Sequence, residues 1–120
     1  MKKITFITKG KNGYIFPEPS DNNYILLYYL VSDHRGKYAI QDVIDILEKS
    51  QRGEIVWEDF IQKYGGSWDF GNGYGELDIE DGTAYLISTD RTQNPSMSLP
   101  LQELIDIFKE WYTLWVKHDK

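Results

Sequence analysis

Apolar and polar residues change rhythm several times along the chain, and each rhythm predicts an element. From Lys3 to Thr8 the alternation has period two, with Ile4 and Phe6 on one face and Thr5 and Ile7 on the other, which predicts a strand. Lys11-Asn12-Gly13 is a turn signal, after which Tyr14-Ile15-Phe16 can pair back as a short second strand. Pro17 to Asn23 reads as a loop, because prolines and Asx residues oppose regular structure. Tyr24 to Val31 is an unbroken apolar run. Its length fits a strand buried on both faces, which is the reading adopted, and a buried helix is the alternative that periodicity leaves open.

The rhythm then becomes helical. After an Asp33-His34-Arg35-Gly36 turn, Ile40, Val43, Ile44 and Leu47 line one face of an amphipathic helix from about Lys37 to Ser50, with Gly53 near its end. Trp57, Phe60, Ile61 and Tyr64 repeat the spacing in a short helix that Gly65-Gly66 stops. Trp68 to Tyr74 mixes aromatics with Gly71 and Gly73 and reads as a flexible loop or bulge. From Gly75 to Glu80, Leu77 and Ile79 alternate against Glu76, Asp78 and Glu80; Asp81-Gly82 is a hairpin turn, and Ala84 to Thr89 returns as the partner strand. A polar loop from Thr92 to Ser98 leads to a last helix, about Leu99 to Lys117, with Ser98 as its N-cap and Pro100 in its first turn. Leu101, Leu104, Ile105, Phe108, Trp111 and Trp115 form its apolar stripe. Together these predict a single α+β domain over residues 1–120: a mainly antiparallel sheet, two or three helices, and a long C-terminal helix packed on the sheet.

Composition narrows the function classes. A chain of 120 residues suits one domain and can bury a core without staples. The absence of Cys excludes disulfides, thiolate metal sites and cysteine nucleophiles. The longest apolar run falls short of the ~20 residues of a membrane helix. Met1-Lys2-Lys3 leads into a segment too short and polar for a signal peptide, so the expected compartment is the cytoplasm. The net charge of −6 argues against nucleic acid as a direct partner. It is also uneven: between Glu54 and Asp90 nine acids are opposed only by Lys63. Such a stretch is either a solvated face or a docking face for a basic partner.

Motifs for chemistry are sparse. His34 and His118 are far apart and carry no ligand spacing. Neither Asp69-Phe70-Gly71-Asn72-Gly73 nor Asp78-Ile79-Glu80-Asp81-Gly82 meets the calcium-loop template. Gly71, Gly73 and Gly75 precede a strand with no nearby Lys or Arg, unlike a dinucleotide fingerprint. No cofactor is expected. Asp78 and Glu80 share a strand face and could serve a small hydrolase as acid and base, which keeps an Asp/Glu enzyme as one alternative and an adaptor domain as another. The leading expectation is a non-catalytic binding surface formed by Trp68, Asp69, Phe70, Tyr74, Glu76, Asp78, Glu80 and Asp81, aromatics as anchors and acids as steering charges. For Trp68 and Phe70 the competing reading is that they close the core beneath the loop.

One resemblance rests on Trp68-Asp69-Phe70-Gly71-Asn72-Gly73-Tyr74, the acidic hairpin after it, Met97-Ser98-Leu99-Pro100-Leu101-Gln102-Glu103-Leu104, and Phe108-Lys109-Glu110-Trp111. In these the C-terminal half resembles small cytosolic immunity proteins of bacterial polymorphic-toxin and contact-dependent growth-inhibition systems. The resemblance implies an acidic α+β protein that binds a cognate toxin domain, a basic nuclease in many such pairs, and blocks it. It carries over no catalytic residues.

Overall fold

A computed structural model describes residues 2–9, 13–90 and 94–118. The chain runs β1 (Ile4–Lys9), β2 (Tyr14–Pro19), a 3₁₀ turn (Asn22–Tyr24), α1 (Ile25–Ser32), α2 (Lys37–Gln51), α3 (Trp57–Tyr64), β3 (Trp68–Phe70), β4 (Gly75–Glu80), β5 (Thr83–Ser88), β6 (Met97–Pro100) and α4 (Leu101–His118). β1 and β2 form a separate antiparallel hairpin, and β3-β4-β5-β6 form an antiparallel sheet in that order. This is the expected α+β class with the long last helix on the sheet, but with four helices among the described residues. The expected turn at Lys11-Asn12 and the start of the polar loop at Thr92 lie outside the described residues.

The extra helix is the main correction. Tyr24–Val31 is not a strand: Ile25–Ser32 is an α-helix, and Leu26, Leu27, Leu30 and Val31 are wholly buried. A continuous apolar run has no polar face to reveal its period, and this one is apolar because α1 is enclosed, with β2 against it and β4 and β5 also in contact. Asp21 opens the segment, its carboxylate accepting from the Asn23 N–H at 2.7 Å.

Two further boundaries move. Pro17 and Pro19 lie in β2 and not in a loop, opposite Phe6 and Ile4. A strand with a single partner has one edge free of ladder bonds and tolerates prolines there. Ser98 is not a helix cap: it sits in β6 opposite Tyr85, and Pro100 ends that strand opposite Thr83. Helix α4 begins one residue later, where the Leu101 N–H donates to the Gly82 carbonyl at 2.8 Å.

The core is one contiguous cluster. Inward residues of the large sheet (Trp68, Phe70, Leu77, Ile79, Ala84, Leu86 and Leu99) are buried along with Leu104, Ile105, Phe108 and Trp111 of α4. α2 packs on α4 through Ile40, Val43, Ile44 and Leu47, as its periodicity predicts. The small hairpin closes the other end, with the Phe6 ring stacked on Trp111 at 5.0 Å.

Candidate functional site

The β4–β5 hairpin sets the geometry. Asp81 and Gly82 have φ of 49° and 75°, the two positive values that a type I′ turn requires. A two-residue turn fixes the register: Glu80 faces Thr83, Asp78 faces Tyr85 and Glu76 faces Ile87. Because side chains alternate, Leu77 and Ile79 enter the core while Glu76, Asp78 and Glu80 point the other way. On the far side of β4, Asp69 of β3 lies directly opposite Glu76. Four carboxylates thus share one sheet face. Like charges directly opposite in neighbouring strands are destabilising, so the Asp69–Glu76 pair costs the fold something.

The expected site residues separate into two groups. Asp69, Glu80 and Asp81 are exposed, and Glu76 and Asp78 are half-buried on the same side. Trp68 and Phe70 are 3% and 2% exposed and belong to the interior, so neither is available as an anchor. Trp68 is the socket for α3: its ring stacks with Trp57 at 5.7 Å and Tyr64 at 5.1 Å, and Phe60 approaches to 6.3 Å. Phe70 lies opposite Gly75 and covers it so closely that a Cβ there would fall 2.4 Å from the ring. The glycine-rich stretch therefore serves packing and a tight turn. Gly71, whose φ is 64°, also admits Tyr29, which a Cβ would meet at 2.9 Å. The Asp33 carboxylate accepts from the Gly71 N–H at 2.7 Å and ties this turn to the end of α1.

Tyr74 is the exposed aromatic of the segment, at 42%, and stacks on Tyr29 at 5.5 Å. It stands at one end of β4 and Asp81 at the other, roughly 23 Å apart at the usual rise per residue. Sequence reasoning missed Tyr85, 39% exposed in the middle of the acidic face opposite Asp78. The signal was present: counting outward from the Asp81-Gly82 turn pairs Tyr85 with Asp78.

A second feature escaped the sequence. A cleft of about 500 Å³ opens between the α2–α3 connection and the tip of the β4–β5 hairpin. Ile55, Val56, Trp57, Ile79 and Leu101 supply apolar walls, and Glu58, Asp78, Glu80 and Asp81 supply carboxylates. Among the described residues its lining includes no Lys or Arg. The nearby Arg52 guanidinium is held by Glu54.

Comparison with protein-family models, curated proteins and solved structures finds no significant match. Among the described residues no three His, Asp or Glu side chains gather where a metal ion could be held, and no helix is long and apolar enough to cross a membrane. Of the two histidines, His34 is largely enclosed, its ring 6.0 Å from Trp68 and 5.9 Å from Phe108. Burial lowers its pKa, and the neighbouring Asp33 carboxylate pulls the other way.

What this arrangement offers chemically is attraction and contact. The outer face presents four carboxylates with Tyr85 among them and Tyr74 at its border. Such a surface attracts cations at long range and supplies aromatic area at short range.

Proposed function

We propose that this is a non-catalytic, cytoplasmic binding protein that neutralises a basic protein toxin domain by covering its working surface. The observation that carries the reading is the gathering of Asp69, Glu76, Asp78 and Glu80 on one sheet face, with Asp69 and Glu76 directly opposite. No ion pair joins any of the four to a cation among the described residues. Two carboxylates directly opposite across neighbouring strands are unfavourable in the free protein. A basic partner turns the same charges into attraction, and a nuclease cleft built to hold phosphates is such a surface. The resemblance of the C-terminal half to bacterial immunity proteins points the same way. Tyr74 and Tyr85 replace Trp68 and Phe70 as the aromatic contacts, since they are the ones that reach solvent.

The test is genetic and biochemical together. Tagged protein should bring down one basic polypeptide from its own cells, and co-expression should relieve that polypeptide's toxicity. Rescue should fail when Asp69, Glu76, Asp78 and Glu80 are all neutralised. A captured partner without a basic surface, or undiminished rescue by the neutralised variant, overturns the proposal.

A further inference from the structure

β3 stops short of β4. Its three residues pair only with Gly75, Glu76 and Leu77, so among the described residues Asp78, Ile79 and Glu80 have β5 on one side and no strand on the other. Glu80 and Thr83 close the two-residue turn as a hydrogen-bonded pair. Alternation along the ladder then turns the N–H and C=O of Ile79 away from β5, towards the open side. There the Ile79 N–H is met by the Asp78 carboxylate at 3.0 Å. Among the described residues no backbone donor outside the sheet meets the Ile79 carbonyl. The cleft walled by Val56, Trp57 and Glu58 runs beside this edge, and Val56 is 61% exposed.

We propose that this notch is the docking site for an extended, lysine- or arginine-bearing segment of a basic protein partner, which adds to β4 as a strand along Asp78–Glu80. Strand addition supplies the backbone partners that the shortness of β3 leaves unmade, and alternate side chains of the incoming segment find different surroundings. Those on one side enter the cleft between Val56, Trp57 and Ile79; those on the other lie over the carboxylates of the sheet face. When a carbonyl of the incoming strand takes over the Ile79 N–H, the Asp78 carboxylate is released to meet a cation. Charge selects the occupant. The cleft carries Glu58, Asp78, Glu80 and Asp81 and, among the described residues, no cation in its lining. A second copy of this chain would bring an equally acidic edge, and like charges across a strand pair repel. The inference rests on the reading above for the basic character of the partner and names the part of it that is gripped.

The experiment titrates isotope-labelled protein at low salt with three capped octapeptides, followed by amide NMR. One alternates lysine and valine, one alternates glutamate and valine, and the third is the lysine peptide N-methylated at every residue. The first should move the Ile79 and Glu80 amide signals. The other two should bind about tenfold more weakly or worse, one because its carboxylates are repelled by the acidic notch and one for lack of N–H donors. The triple variant Glu58→Gln, Glu80→Gln, Asp81→Asn should lose the lysine peptide to a similar extent with its thermal midpoint intact. Equal binding of the N-methylated peptide, signals that move only at Asp69, Glu76 and Tyr85, or no movement at all would each overturn strand addition. So would a dimer that protects the Ile79 amide without peptide. Neutralisation of a toxin is read separately, by the growth assay, so either proposal can fail alone.

Discussion

The Trp111 indole N–H donates to the His34 backbone carbonyl at 2.7 Å, joining the last helix to the corner between α1 and α2. Trp111 is wholly buried, stacks on Phe6 and makes an edge contact with Trp115. Replacing it with Ala should cost about 3–5 kcal/mol through lost burial and the cavity left behind, and Phe108→Ala should fall in the same range. Trp111→Phe keeps most of the ring but orphans the carbonyl, and about 1–3 kcal/mol should be lost. Urea unfolding measures all three. A loss under about 1 kcal/mol for both alanine variants is incompatible with α4 as the principal core element.

His34 makes stability depend on pH with a definite sign. Burial lowers its folded pKa below 6.5, and its Nε2 has no hydrogen-bond partner among the described residues. Well above pH ~6.5 the ring is neutral in both states and contributes nothing to pH dependence. As pH falls through that value the unfolded chain takes up the proton first, so stability declines until the folded pKa is passed. The thermal midpoint should therefore drop from about pH 7 to 5.5, and the drop should be smaller in His34→Phe. Parallel profiles for the two proteins would contradict this.

Gly75 should not tolerate a side chain. A Cβ would fall 2.4 Å from the Phe70 ring, which is itself packed in the core. Gly75→Ala should destabilise by about 1–3 kcal/mol, and Phe70→Leu in the same chain should restore part of the loss. Absence of any restoration would show that the clash is not with that ring.

Asp69→Thr should act in opposite directions on folding and on binding. Removing a carboxylate directly opposite Glu76 should raise stability by a few tenths to about 1 kcal/mol. The same change should weaken the complex with the captured partner. Calorimetric melting and titration of one preparation give both values. Stabilisation with unchanged affinity would make this face a solvated surface and nothing more.

The acidic face should govern the rate of encounter. Neutralising Asp78, Glu80 and Asp81 together should slow association with a basic partner by about tenfold or more at low salt, leaving the thermal midpoint nearly unchanged. Raising the salt should slow the parent protein towards the variant, because screening shortens the reach of the field. Stopped-flow rates indifferent to both changes would rule out steering by these residues.

Much of the sheet and most helices could be read from the chain, because they depend on neighbours in sequence. The Asp81-Gly82 turn sets its own register and so decides which of residues 76 to 80 face outward. The apolar spacing in α2 and α4 likewise carries its period with it. Tertiary packing decided the rest. Ile25–Ser32 is a helix packed against β2, β4 and β5, and a segment so enclosed has no polar face to mark its period. Trp68 and Phe70 looked like the exposed Tyr74 in sequence; α3 and Gly75, brought against them by the fold, turned two of the three inward. The open edge at Ile79 exists because β3 is three residues long beside a six-residue β4, a difference in length that no local pattern records.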